Sequence, residues 1–131
     1  MTPYDLLRRR CGLSQAEAAA FHGVRLDTIK SWCSGRNRPA AAVLAELRSL
    51  HARIERVAAE ALAAIDGAPD AEQIELGFAA DDHEAQALGW PCVGAQAASL
   101  GLVLARCDRP IRLVPRGSTL ATAAAAEAHR R

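Results

Sequence analysis

Residues 14–38, SQAEAAAFHGVRLDTIKSWCSGRNR, constrain the fold of this chain more than any other stretch. Ser14 followed three positions later by Glu17 is a capping box, in which side chain and backbone satisfy each other's orphan groups at a helix start. Ala18 and Ala19 are small, as two closely crossing helices require. Gly23 supplies the turn, and Val24 would fill the space between the helices. A second helix is expected from about Leu26 to Ser34, with Ile29 and Trp32, three apart, on its inner face. Gly35 closes it, and Arg36-Asn37-Arg38 form a basic loop before Pro39.

Two short helices with a glycine turn and a basic loop outline a helix-turn-helix unit, whose second helix enters the DNA major groove. Such a helix reads bases near its N-terminus, so Arg25, Asp27 and Thr28 are the first candidates, with Lys30 and Ser31 one turn on. Arg25 or Lys30 can bond guanine O6 and N7, the Thr28 methyl can meet thymine, and Asp27 can accept from cytosine N4. Asp27 has an equally good structural explanation, because an acid in a first helical turn suits the macrodipole. Gln15 stands at an open helix N-terminus, where anions are favoured, and is either a phosphate clamp or an ordinary exposed glutamine. Arg36, Asn37 and Arg38 are the remaining phosphate candidates. His22, where this pattern usually places Leu or Ile, is expected as a buried or half-buried neutral side chain.

The combination LSQAEAAAFHGV, TIKSW, SGR and Pro, spanning about thirty residues, resembles the Cro/repressor-type (XRE-like) helix-turn-helix superfamily. Two departures matter. Arg25 replaces the Ser or Thr that often caps the second helix, exchanging a cap worth about 1 kcal/mol for another DNA contact. Cys33 stands where Glu is common, which removes a frequent salt-bridge partner.

Composition fits an anionic partner for the N-terminal end. Residues 1–40 hold seven Arg or Lys against three acids, hence +4, whereas residues 67–100 hold six acids and no cation, hence −6. Net charge over the whole chain is only +1. A basic head beside an acidic middle points to nucleic acid at the head. Thr2 is the expected N-cap of a first helix, with Pro3 at its first position and Asp5 in its first turn. Arg8, Arg9 and Arg10 follow, as a solvated face or as further phosphate contacts, and Gly12 ends that helix. Cys11, Cys33, Cys92 and Cys107 lack zinc-like spacing and read as reduced, mostly buried thiols of a cytoplasmic protein. Neither a secretory signal nor a membrane-spanning run is expected. No cofactor or metal is called for.

Residues 40–66 carry side chains at three and four (Leu44, Leu47, Leu50 or His51, Ile54, Val57, Ala61, Ile65), which predicts a long helix ending at Gly67-Ala68-Pro69. Alternation over residues 73–78 predicts a strand with Ile74, Leu76 and Phe78 on one face. A short helix opening at Asp81 and Asp82, a break at Gly89-Trp90-Pro91, a helix over residues 93–106 and a strand over residues 111–114 complete the pattern. The fold class is therefore mainly α with a small α+β C-terminal module. It divides into a helix-turn-helix domain with its long linking helix (1–66), a strand–helix–helix–strand dimerisation domain (70–115) and a disordered tail (116–131). A module of some 45 residues has little surface to bury, and two strands alone are marginal. A second copy would supply the missing contacts, through Ile74, Leu76, Phe78, Trp90, Leu100, Ile111 and Leu113.

The order of elements, Ser34-Gly35-Arg36 after Trp32, and Gly89-Trp90 followed by Gln96-Ala97-Ala98-Ser99-Leu100 resemble the YdiL-like family, which includes anti-CRISPR-associated autorepressors. Covering about residues 1–114, this resemblance implies a homodimer that binds an inverted repeat in a promoter, often its own, and blocks transcription by occupancy. Three rivals are weighed beside it. An antitoxin would repress its operon the same way and mask a toxin with its other half. An RNA-binding regulator would use the same basic face. An enzyme would need a catalytic group, and the only dense polar cluster, His83 with Asp81, Asp82 and Glu84, is better explained as a solvated helix start. The chain is read as a non-enzyme.

Overall fold

In the computed structural model, which describes residues 1–116, Thr2 opens the first helix, α1 (Pro3–Arg10), by accepting the Asp5 amide at 3.2 Å. The expected tail lies, from residue 117, outside the described residues. The Thr2 hydroxyl also donates to the Trp32 carbonyl at 2.9 Å, so one side chain ties the start of α1 to the end of a later helix. Helix α2 (Gln15–His22) forms behind the full Ser14–Glu17 capping box and ends at Gly23, whose φ of 69° is left-handed. Helix α3 (Leu26–Ser34) follows after the three-residue turn and ends at Gly35, φ 86°. Both glycines occupy backbone conformations that a Cβ disfavours.

Helix α4 (Ala41–Asp66) has 26 residues and is the wall shared by the whole protein. Its Leu47, Leu50 and Ile54 pack with Tyr4, Leu13, Ala18, Ile29 and Trp32. Further along, Ala58 and Ile65 pack with Ile74 and Val103. Strand β1 (Ile74–Phe78) and strand β2 (Ile111–Pro115) pair in parallel, Ile74 opposite Ile111 and Phe78 opposite Pro115. Parallel neighbours need a crossover, here helix α5 (Asp82–Ala87) and helix α6 (Val93–Arg106). The chain is thus mainly helical with a small two-strand parallel sheet. No helix among the described residues is long and apolar enough to cross a membrane.

Residues 70–115 do not bury a core of their own. Ala79, Ala85, Trp90, Cys92 and Ala95 belong to the same buried cluster as Tyr4, Ile29 and Trp32. Helix α6 lies against α4, with Ala95, Ser99 and Val103 buried along its length, and the Ser99 hydroxyl donates to the Ile54 carbonyl at 2.9 Å. The end of β1 is pinned to α6 where buried Gln96 accepts the Ala79 amide at 2.8 Å. Arg109 closes the far end, donating to the carbonyls of Ile65 and Ala71 at 2.9 and 2.8 Å. Closest of all is the approach of Gly12, in the turn after α1, to Gly94 in the first turn of α6. A Cβ on either glycine would fall on the other's carbonyl oxygen. The surface that a small C-terminal module lacks is therefore supplied by α4 and the N-terminal helices of the same chain.

Candidate nucleic-acid interface

The surface of α3 is set by what its other face buries. Ile29 and Trp32 are buried, Trp32 edge-on to Tyr4 at 5.3 Å between ring centroids, as their three-residue spacing predicts. Arg25, Asp27 and Lys30 are exposed, and Thr28 is half-buried. Arg25 takes the N-cap position in an extended conformation without any side-chain cap bond. The first turn of α3 thus keeps amides free of a side-chain cap, beside an arginine whose own side chain is exposed. Around it Arg25, Lys30, Arg36 and Arg38 give four exposed cations against the one acid, Asp27.

Ser31 is a correction to the sequence reading. It is only 4% exposed, and its hydroxyl donates to the Thr28 carbonyl at 3.0 Å. It is covered by the loop that follows α3, where the Asn37 side-chain amide donates to the Ser31 hydroxyl at 3.3 Å and the Asn37 backbone amide to the Ser31 carbonyl at 3.3 Å. A serine so enclosed has no edge to offer a base. Asn37 itself is exposed but engaged with α3, whereas Arg36 and Arg38 are exposed on either side of it. Gln15, the first residue of α2, is half-buried.

The arginine run of α1 separates into different roles. Arg8 is buried, bonded to Asp5 at 2.6 Å and donating to the Leu13 carbonyl at 2.7 Å. That bond to Arg8 holds the Asp5 carboxyl below the usual carboxylate range. The salt-bridge partner that Cys33 cannot provide is thus supplied by Asp5, one turn back on α1. Arg9 reaches the other Asp5 oxygen at 3.0 Å from the surface. His22 has its side chain enclosed by Tyr4, Phe21 and Trp32, with Nδ1 3.3 Å from Glu46 Oε2 on α4. Burial pushes the Tyr4 hydroxyl up to about 12.

The residues assigned to pairing with a second copy divide in two. Ile74 is buried against Ala58, Ile65 and Val103, with Leu76 and Ile111 packed on the same cluster. Trp90 is 5% exposed and lies under Arg53, whose guanidinium carbon sits 4.5 Å from the ring centroid while its nitrogens donate to the Leu88 and Gly89 carbonyls. Ile74 and Trp90 therefore stabilise the protomer from within and are not available to a partner. Phe78, Leu100 and Leu113 instead line an open, mostly apolar groove of about 270 Å³ between α6 and the sheet, together with Val93, Ala97 and Leu104. Leu104 and Leu113 are 43% and 41% exposed.

Sequence reasoning missed three of the residues that shape this surface. Ser34 accepts the Arg36 amide at 3.4 Å and donates to the Ser31 carbonyl at 3.2 Å. Thr2 was assigned its cap but not its bond to Trp32, and Arg53 not its clamp over Trp90. A serine before Gly-Arg was the only local hint of the first, and contacts 30 or more residues apart leave no periodic trace for the others. The four thiols are free, Cys11 and Cys92 buried and Cys33 and Cys107 half-buried. Neither protein-family models nor curated proteins give a match to this chain.

Proposed function

We propose that the protein is a sequence-specific DNA-binding repressor of transcription, acting as a homodimer on an inverted repeat in a promoter, its own by preference. In this reading α2 and α3 are the helix-turn-helix, α1 and the first turns of α4 complete its bundle, and α3 enters the major groove. The observation that carries the reading is the division of α3 into two faces. Ile29, Ser31 and Trp32 are locked inward, while Arg25, Asp27 and Lys30 stand exposed on a helix whose uncapped N-terminus continues the same basic surface.

Each of these exposed or half-buried side chains has a role of its own class. Arg25 and Lys30 suit guanine edges, the Thr28 methyl suits thymine, and Asp27 suits cytosine N4. Gln15, Arg36 and Arg38 suit phosphates, where they set register without reading sequence. No cofactor enters this mechanism, because binding alone excludes polymerase. The second copy is assigned to the groove lined by Phe78, Leu100, Leu104 and Leu113. Two copies place two α3 helices on half-sites about one helical turn apart. An antitoxin would offer that groove to a toxin instead, and copurification of a second small protein at fixed ratio distinguishes that case.

Footprinting on the region upstream of the coding sequence tests the reading. A protected inverted repeat, lost with Lys30→Ala, is expected; an unprotected region at protein concentrations that coat unrelated DNA contradicts autorepression.

A further inference from the structure

We infer that Ser31 and Asn37 are positioning residues that fix the basic loop against α3, so that phosphate anchoring and base reading share one frame. This inference rests on the DNA-binding reading and deepens it. The chain of bonds runs from the loop into the helix. The Asn37 side chain donates to the Ser31 hydroxyl at 3.3 Å, and that hydroxyl donates to the Thr28 carbonyl at 3.0 Å. The Ser31 carbonyl accepts both the Asn37 amide at 3.3 Å and the Ser34 hydroxyl at 3.2 Å. Ser34 in turn accepts the Arg36 amide at 3.4 Å. Helix α3 ends at a glycine of positive φ, which turns the chain back toward the helix, and the bonds to Ser31 then hold the residues beyond it against α3.

Arg36 and Arg38 flank Asn37 and are exposed. Each is a long, rotamer-rich side chain on a loop outside any helix, and its phosphate contact gains from every degree of freedom removed before DNA arrives. Ser31, enclosed and carrying no free edge, contributes to affinity without touching the duplex. Asn37, exposed itself, commits one N–H of its side chain to Ser31. Loss of either residue therefore weakens contacts made by Arg36 and Arg38, by raising the cost of ordering the loop.

The test is a double-mutant cycle read with two labelled duplexes, one of random sequence and one enriched by the wild-type protein from a randomised pool. Asn37→Ala lies at an exposed site and keeps the test independent of folding; Ser31→Ala is checked by its melting curve. A net hydrogen bond sets the ordered loop population by a factor of about five, so each single variant is expected to bind both duplexes about fivefold more weakly. The ratio of the two affinities stays unchanged. The salt slope stays unchanged, because the bound state keeps both phosphate contacts and only the cost of ordering the loop has risen. The double variant binds no more weakly than the weaker single one, because both residues act through one chain of bonds. Losses that multiply in the double variant would assign Asn37 a phosphate contact of its own and overturn the inference. So would a salt slope that falls by about 0.9 in Asn37→Ala, the mark of a phosphate contact made by Asn37 itself. Wild-type protein that binds neither duplex at low salt removes the DNA-binding reading itself, an outcome distinct from both.

Discussion

Replacing Gly94 with alanine adds one methyl group to the first turn of α6, where helix propensity alone would make it neutral or favourable by up to about 1 kcal/mol. Its φ is not in the left-handed region, so no backbone strain opposes the change. The added Cβ, however, would fall on the Gly12 carbonyl oxygen, a backbone atom that no rotamer change can move aside. Overpacking of this kind costs about 1–3 kcal/mol. Gly101, seven residues further along the same helix, has nothing within 4 Å of the same added atom. There alanine is expected to stabilise the protein in dilute solution by about 1 kcal/mol. The two alanine variants should therefore differ by about 1–4 kcal/mol, or roughly 4–16 °C in melting temperature at about 4 °C per kcal/mol. Gly23→Ala supplies a control for strain alone, since its φ is 69° with open space around it, and should cost about 1–2 kcal/mol. Gly12→Ala combines both penalties and should be the least stable of the four. Thermal and urea unfolding read all of them. A Gly94→Ala protein that melts with or above Gly101→Ala would mean that the turn after α1 does not rest on α6, and the shared core would have to be abandoned.

The remaining predictions concern single residues. Tyr4 is the only tyrosine in the chain, so tyrosinate absorbance isolates it, and its midpoint is expected near pH 12 in the folded protein. Unfolded in urea it should titrate near about 10. Because the folded value is the higher, the stability linked to Tyr4 is complete below about pH 10 and is lost as pH rises from there. A folded midpoint near 10 would place Tyr4 outside the core. Asp5→Asn leaves Arg8 buried without its charge partner and should destabilise by about 3–5 kcal/mol at neutral pH. Since the Asp5 carboxyl is depressed, its contribution is present above about pH 4 and fades as pH falls below that, so the gap in urea midpoint between wild type and Asp5→Asn should close in acid. A gap that persists at low pH would show that the bond to Arg8 is not its origin. Leu76→Asp should lower the urea midpoint of the protomer itself, because half-buried Leu76 packs on the cluster of Ala58, Ile65 and Val103; an unchanged midpoint would place Leu76 outside that cluster. Leu113→Asp, at an exposed groove position, should leave the melting curve in dilute solution within about 0.5 kcal/mol of wild type while lowering the mass measured by light scattering at higher concentration; a well-folded variant of unchanged mass would exclude that groove as the contact.

Signals confined to a few residues were legible before the structure. The Ser14–Glu17 box, Gly23, the Ile29–Trp32 spacing and the three-and-four pattern of α4 each report a local constraint, and each element begins and ends within a residue or two of where those signals place it. Burial of Ser31 was not legible. On the helical wheel it stands about 100° from Trp32, outside the Ile29–Trp32 face, and what covers it is Asn37, six residues on in a loop whose path no periodicity encodes. Trp90 failed for a similar reason, since its exposure is decided by Arg53, on a helix that sequence reasoning treated as belonging to another domain. The break at Gly67-Ala68-Pro69 does end α4, yet a helix end is not a domain boundary. Gly12 and Gly94 look like unrelated glycines, yet their mutual approach, with Ala95 in the same buried cluster as Tyr4 and Ile29, joins α6 to the core of α1–α3. Scarce buried surface therefore no longer calls for a second copy, and the groove between α6 and the sheet is the surface left open to one.

The claim at the centre of this account is that the exposed face of α3 reads duplex DNA. Selection from a pool of randomised duplexes, with the bound fraction sequenced, tests it most directly. Wild-type protein is expected to enrich an inverted repeat with half-sites about one helical turn apart, while Arg25→Ala and Lys30→Ala relax the preference at particular positions within each half-site. Enrichment of no motif by the wild-type protein, or of the same motif unchanged by both variants, would contradict it.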